Sequence, residues 1–280
     1  MIILDGKKLQ EKILVKVKQE IKLLEFQPIF TDVLVGDDPA STQYVRMKAS
    51  VAEKVGIHFH NANFPASITT EDLIKEIKIL NEIPKMCGII IQLPLPEHID
   101  RQMVLDSIDP KLDVDCLGRM AGEKFYNNYD EKNDLGFPTA LACLALLDSL
   151  NLDLQDKKIV VLGRGVLVGK PVVALLKFKK LSPVVIASQT PNKEDLTKQA
   201  DIIISGMGKG KYITRNIIKS GVILIDAGSS ELDGSIIGDV DLESVKDIAR
   251  YVSPVPGGVG PVTVAMLLKN VLKVAKNKVY

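Results

Sequence analysis

Three residues far apart in the chain are of the types that could share acid/base chemistry: Lys48, Gln92 and Asp115. Lys48 lies in Ser41-Thr-Gln-Tyr-Val-Arg-Met-Lys-Ala-Ser-Val-Ala-Glu-Lys-Val55, where apolar residues recur at helical spacing. At about 100° per residue, Tyr44, Lys48, Val51 and Val55 fall within a stripe about 60° wide. Arg46, Ser50, Glu53 and Lys54 take the opposite side. A lysine thus stands one turn from a tyrosine, where an amphipathic helix places leucine. An ammonium withdrawn from water gives up its proton more readily, which suits acid or base work near neutral pH. The plainer alternative is a lysine that snorkels along the stripe to solvent. Gln92 ends an apolar strand-like run, just before Leu93-Pro-Leu-Pro96. Ligand sites in open parallel sheets lie beyond the carboxyl ends of strands, so this carboxamide is placed to hydrogen-bond a catalytic group, or is an ordinary strand-end glutamine. Asp113-Val-Asp115 sets two carboxylates on a loop. Asp115 there either accepts hydrogen bonds from a ligand's amine groups or is solvated.

A second chemistry is suggested by Lys158-Ile-Val-Val-Leu-Gly-Arg-Gly-Val-Leu-Val-Gly-Lys-Pro171, which reads strand, glycine turn, helix. Gly163 and Gly165 would let the backbone approach a pyrophosphate, and Gly169 would allow close packing where the helix starts. That helix N-terminus offers amide donors and a positive dipole. The spacing is one residue longer than the usual dinucleotide fingerprint, so a plain tight turn is the alternative. NAD sites usually end the next strand with an acid for the ribose 2′-hydroxyl. Here the strand ends Ile186-Ala-Ser-Gln-Thr190, without a carboxylate, and Arg164 sits in the glycine loop. Arginine and Ser188 suit a 2′-phosphate, which favours NADP over NAD. No metal site is expected: His58 and His60 alternate on one strand face, and His98 lacks neighbours at ligand spacing.

The elements that must position these residues alternate almost end to end. Helical periodicity covers residues 6–24, 41–55, 70–80 and 139–150, with a final helix from about Pro261 to Lys276. Strand-like runs fall at 29–35, 57–64, 88–92, 159–162, 184–187, 202–205 and 222–226. Such alternation implies an α/β fold with mainly parallel sheets. The expected division is an N-terminal catalytic domain over 1–138, with the terminal helix 261–280 packing back on it, and a Rossmann-type dinucleotide-binding domain over 139–260, with a cleft between them. The polar stretch Tyr126–Asp134 reads as a surface loop, and the helix 139–150, apolar nearly all round, as a buried connector. A net charge of +1 gives no reason to invoke nucleic acid or an acidic membrane surface. Three scattered cysteines offer no disulfide framework. Charge appears after four residues at the N-terminus, unlike a signal peptide. No run approaches the roughly 18 apolar residues of a membrane span. A cytoplasmic protein is expected.

Together these segments resemble the bifunctional methylenetetrahydrofolate dehydrogenase/cyclohydrolase family. The resemblance covers nearly the whole chain and rests on Val35–Lys48, Gln92–Pro96, Asp113–Asp115, Gly163–Pro171, Gly238-Asp-Val240 and Ser253-Pro-Val-Pro-Gly-Gly-Val-Gly-Pro-Val-Thr-Val-Ala-Met266. It implies that Lys48 is the acid/base of the cyclohydrolase step, that Tyr44 stacks near the pterin, that Gln92 holds the lysine and that Asp115 anchors the pterin ring. It implies a folate site lined by Ile91, Leu93 and Pro256-Gly257-Gly258-Val259-Gly260. Gly163, Arg164, Gly165, Gly169, Ser188 and Ser229 are placed around NADP, and a homodimer is implied through the nucleotide-binding domain. The implied reactions are oxidation of methylenetetrahydrofolate with NADP and hydrolysis of the methenyl product to formyltetrahydrofolate. The chain departs from the family where serine is usual at Gly165, where Cys-His-Ser-Arg-Thr is usual at Ile186–Thr190, and where glycine is usual at Cys116. It departs again at Phe137–Ala142, where Pro-Cys-Thr-Pro-Lys-Gly is usual and only Thr139 stays in register. A cyclohydrolase with an impaired dehydrogenase half, or a non-catalytic folate- or nucleotide-binding regulator, are the alternatives.

Overall fold

A computed structural model describes residues 1–232 and 234–278. In chain order the elements begin β1 (Ile2–Ile3), α1 (Gly6–Ile21), β2 (Ile29–Val35), α2 (Pro39–Val55), β3 (His58–Phe64), α3 (Thr70–Asn81) and β4 (Met86–Ile91). They continue α4 (Arg101–Asp106), α5 (Arg119–Asn127), α6 (Pro138–Asp148), β5 (Ile159–Leu162), α7 (Gly169–Phe178), β6 (Val184–Ile186) and α8 (Lys193–Lys198). The rest are β7 (Ile202–Ser205), β8 (Ile223–Asp226), β9 (Ser230–Leu232), β10 (Ser235–Ile237), α9 (Leu242–Val245), β11 (Tyr251–Val252) and α10 (Val259–Lys276). Two compact units divide the chain: Met1–Glu11 with Thr139–Met266, and Lys12–Pro138 with Leu267–Tyr280. Thus α1 and α10 each contribute residues to both.

The unit holding Lys48 is built on a three-stranded parallel sheet in the order β3-β2-β4. Its central strand β2 is buried along nearly all its length because both neighbours and the helices cover it. Val17, Phe30, Val33, Ile77 and Ile89 form one core with Leu268 and Val271 of α10. The helix α2 starts two residues earlier than the apolar pattern suggests. Asp38 accepts a hydrogen bond from the Ser41 amide at 2.8 Å, and Pro39 occupies the first turn, where its missing N–H leaves nothing unmade. Gly56, at φ 94°, ends the helix in the left-handed region.

The other unit carries a six-stranded parallel sheet in the order β1-β11-β8-β7-β5-β6, with an antiparallel hairpin β9–β10. Its first strand, β1, pairs with β11, so the chain's first residues lie in this sheet, although the sequence pattern assigns residue 1 onwards to the N-terminal domain. Two residues are too short to show strand periodicity, and pairing alone defines them. The helix α6 is buried on most sides, with Ala140, Cys143, Leu144 and Leu147 inaccessible. The terminal helix begins at Val259, two residues before Pro261. The proline still falls in the first turn, where it breaks no helical bond. Val279 and Tyr280, the last residues of the expected helix, lie outside the described residues.

Candidate active site

Lys48 does not reach solvent: only 4% of it is exposed. Its Nζ donates a hydrogen bond to Gln92 Oε1 at 2.9 Å, forms an ion pair with Asp32 Oδ2, and stands 4.6 Å from the centre of the Tyr44 ring. The helical period of α2 brings Tyr44 and Lys48 to one face, and the end of β4 delivers Gln92. The Gln92 carboxamide is locked in turn, since its Nε2 donates to the Leu93 carbonyl at 2.7 Å. Its Oε1 therefore faces the amine. Ile91, last residue of β4, is buried, and Leu93 is half-buried.

Asp32, which the sequence reading did not single out, also meets the amine. It sits at the middle of the central strand, opposite Asn61 and Ile90, and is wholly buried. A carboxylate there is costly without a counter-ion, and Lys48 supplies one. Burial pushes the Asp32 carboxyl above the usual range, while Lys48 pulls it back. Its Oδ1 has no hydrogen-bond partner among the described residues. The signal was present: an aspartate inside the apolar run Ile29-Phe-Thr-Asp-Val-Leu-Val35.

The paired loop aspartates divide their work. Asp113 is buried, and its Oδ2 accepts from the Gly118 amide at 2.7 Å. Burial raises its carboxyl to about 6 against the pull of the amides of residues 115–118. Asp115 is coupled to the lysine instead. Its carboxyl is pushed up to about 7, first by desolvation and then by the charges of Asp113 and Asp32, with Lys48 opposing. The Tyr44 phenol is driven up to about 12, by desolvation first and then by Asp115 and Asp32. Next to Asp115, Cys116 takes φ 60°, a conformation that suits glycine better than a residue with a Cβ. Asn270 of α10 holds this loop, donating from Nδ2 to the carbonyls of Val114 at 2.8 Å and Gly136 at 2.7 Å. Nothing in its local sequence signals that role. Two of the three histidines are tied to structure: His98 meets the Ile68 carbonyl, and His58 stands 3.4 Å from Glu53.

In the other unit, Gly163 turns the chain after β5 at φ 103°, and a Cβ there would stand 2.8 Å from the Gly206 carbonyl oxygen. A Cβ on Gly169 would collide with the Gly163 carbonyl, so the start of α7 needs glycine to pack. Gly165 is different: nothing lies within 4 Å of a Cβ there. A cavity of about 360 Å³ opens beside this turn. Gly163, Arg164, Gly165 and Ser188 line it together with Lys193 and Lys209, two cations the sequence reading did not single out. One acid, Glu194, stands against these three bases. Gly169 lies beneath the turn rather than in the cavity lining, and Ser229 is exposed, its carbonyl 3.5 Å from a Cβ on Gly208. The loop between them is shaped by Asp239, which accepts from Ser205 Oγ at 2.6 Å, the Met207 amide at 2.8 Å and the Lys209 amide at 2.6 Å. A turn with no room for a side chain at Gly163, beside basic groups, fits a dinucleotide's phosphates.

The segment Pro256–Gly260 leads into α10 in this same unit. Gly257 has φ 103°, and its carbonyl accepts from the Gly6 amide at 2.9 Å. A Cβ on Gly258 would press within 2.9 Å of the Ser253 side chain. Val259 is buried, while Pro256 and Gly260 are exposed.

A buried, ion-paired lysine on one unit and a glycine-turned parallel sheet with a basic cavity on the other define a two-unit α/β enzyme with acid/base and dinucleotide-binding machinery. Residues 4–115 match the tetrahydrofolate dehydrogenase/cyclohydrolase catalytic domain, and residues 138–279 match the NAD(P)-binding domain of the same family. The chain is 45% identical over 287 residues to the bifunctional protein FolD of Nautilia profundicola, covering 99% of this chain and 98% of that one. The solved structure of the bifunctional enzyme FolD, methylenetetrahydrofolate dehydrogenase/cyclohydrolase, from Campylobacter jejuni superimposes with a TM-score of 0.94 at 36% identity, over 100% of both chains. That of the Trypanosoma brucei dehydrogenase-cyclohydrolase, complexed with NADP and an inhibitor, gives a TM-score of 0.92 at 33% identity, over 99% of this chain and 97% of that one. The chain belongs to the tetrahydrofolate dehydrogenase/cyclohydrolase family.

Proposed function

We propose that the protein oxidises methylenetetrahydrofolate to methenyltetrahydrofolate with NADP and hydrolyses the methenyl product to formyltetrahydrofolate. The observation that carries this reading is the Lys48 amine, buried and held between Asp32 and Gln92. In the hydrolytic step water adds to the electron-poor methenyl carbon, and Lys48 moves the protons: one from the attacking water, one to the departing ring nitrogen. Gln92 aims the amine, Tyr44 covers it, and Asp115 accepts from the pterin's amine groups. Ile91 and Leu93 complete the folate contacts of this unit.

Bound NADP supplies the hydride acceptor for the oxidation. Gly163, Arg164, Gly165 and Ser188 hold it, Gly169 supports the turn, and Ser229 borders the site. NADP is preferred to NAD because no carboxylate ends the strand at Ile186–Thr190 and bases outnumber acids around the cavity. Functionally, residues 12–138 with the terminal stretch from Leu267 serve as the folate domain, and 1–11 with 139–266 as the nucleotide domain. The protein acts in the cytoplasm as a homodimer joined through its nucleotide-binding unit.

The test is to supply methylenetetrahydrofolate with NADP and NAD in parallel while following methenyl absorbance. Cofactor reduction followed by methenyl decay is expected, faster with NADP. Methenyl hydrolysis without reduction of either cofactor would leave a cyclohydrolase with a silent dehydrogenase half.

A further inference from the structure

Asp32 is placed where the chemistry of Lys48 needs a second proton-bearing group. It is the carboxylate in ion-pair contact with the amine, it is wholly buried, and it is carried on the most enclosed strand of its sheet. Gln92, on the other contact of Nζ, can hydrogen-bond but cannot take up a proton. A simple structural aspartate in a strand interior would be satisfied by backbone or side-chain donors. Asp32 instead leaves Oδ1 without a hydrogen bond among the described residues and has its ion pair with the amine alone.

We propose that Asp32 is a positioning and proton-storing residue for the hydrolytic step, acting through Lys48. This rests on the reading of Lys48 as the acid/base group. The protons balance as follows. The pair begins as ammonium and carboxylate. Lys48 passes a proton to Asp32, and the freed amine takes one from water as the new C–O bond forms, which neutralises the methenyl cation. As the bond to the ring nitrogen breaks, Lys48 protonates that nitrogen and recovers the hydroxyl proton when the carbonyl forms. One proton is left on Asp32 and leaves to solvent, matching the single proton that hydrolysis of the cation releases.

The pH consequence follows from which form of Asp32 is competent. The carboxylate must be empty to accept, so turnover is retained above its raised range and lost as pH falls through it. The other titratable groups facing it are Lys48 and Tyr44 from α2 and Asp115 from the loop between α4 and α5. Asp115, at about 7, bears on folate binding, so kcat rather than kcat/KM isolates Asp32.

The experiment is the pH profile of methenyltetrahydrofolate hydrolysis by the full-length Asp32→Asn protein, with Lys48→Met alongside. Asparagine keeps the shape and removes the proton site. The expected result is a kcat lowered by about tenfold or more, KM little changed, and loss of the acid limb seen in the parent protein. An unchanged kcat profile in Asp32→Asn, with Lys48→Met inactive, overturns the role of Asp32 and leaves Lys48 standing. Turnover surviving in Lys48→Met overturns the reading of Lys48 itself. Should Asp32→Asn fail to fold, Asp32→Val, a buried strand residue of similar size, carries the same expectation and the same refutation.

Discussion

The acid/base site and the nucleotide cradle are built from opposite materials. Around Lys48 the contacts are between side chains: Asp32, Gln92 and Tyr44 each meet the amine at a particular atom or ring. Around Gly163 the contacts are mostly backbone, and what matters is the absence of a Cβ. The first region is buried and electrostatically coupled, so exchanging one group perturbs the others. The second is open, and its tolerance varies glycine by glycine: Gly169 is jammed against a carbonyl while Gly165 faces space. Departures from a family pattern therefore cost little in one place and much in another, according to what the missing or added atoms would touch.

Three substitutions test this contrast, in falling order of effect. Lys48→Met removes the amine and leaves Asp32 buried without its counter-ion. Hydrolysis of the methenyl substrate should fall by about 10²–10⁴-fold, while NADP affinity, measured by fluorescence titration, stays within about twofold. A parallel loss of NADP affinity would mean that the two regions are not energetically separate. Gly169→Ala drives a Cβ into the Gly163 carbonyl. The backbone shift should cost about 1–3 kcal/mol, seen as a Tm lower by several degrees, with NADP binding weakened roughly tenfold. A Tm equal to the parent's would show that the turn relaxes freely. Gly165→Ser adds a hydroxyl into open space. Here Tm should hold within about 1 °C, and NADP should bind a few-fold tighter through one new hydrogen bond of about 1 kcal/mol. Weaker binding would mean that the chain has adapted its cofactor site to glycine.

Much of the fold was legible. The strands 29–35, 159–162 and 202–205 follow from apolar runs bounded by turn residues, and α2 and α3 from helical periodicity. Short elements were not. β1 and β11 have two residues each, and the hydrogen-bonding partner rather than any local pattern defines them. Among site residues, Lys48 was legible as a candidate because it stands in an apolar stripe, and only the fold shows that it is buried rather than snorkelling to solvent. Lys193 and Lys209 were not, because a lysine in a polar loop looks like any solvated charge until a cavity forms beside it. Asp113 and Asp115 look alike in sequence, and only the folding of their loop sends one to the amide of Gly118 and couples the other to Lys48.

By itself the sequence determined the alternation of strands and helices, the glycine turn at 163–169, and the placement of a lysine on the apolar face of α2. These are local properties, set by side-chain periodicity and backbone freedom within a few residues. The tertiary structure decided which groups meet that lysine. Asp32 stands 16 residues before Lys48 in the chain and Gln92 stands 44 after it. The strand order β3-β2-β4 sets Asp32 on the central strand and Gln92 at the end of its neighbour. Charge coupling depends on distance through a poorly solvated interior, and that distance exists only once the sheet has formed.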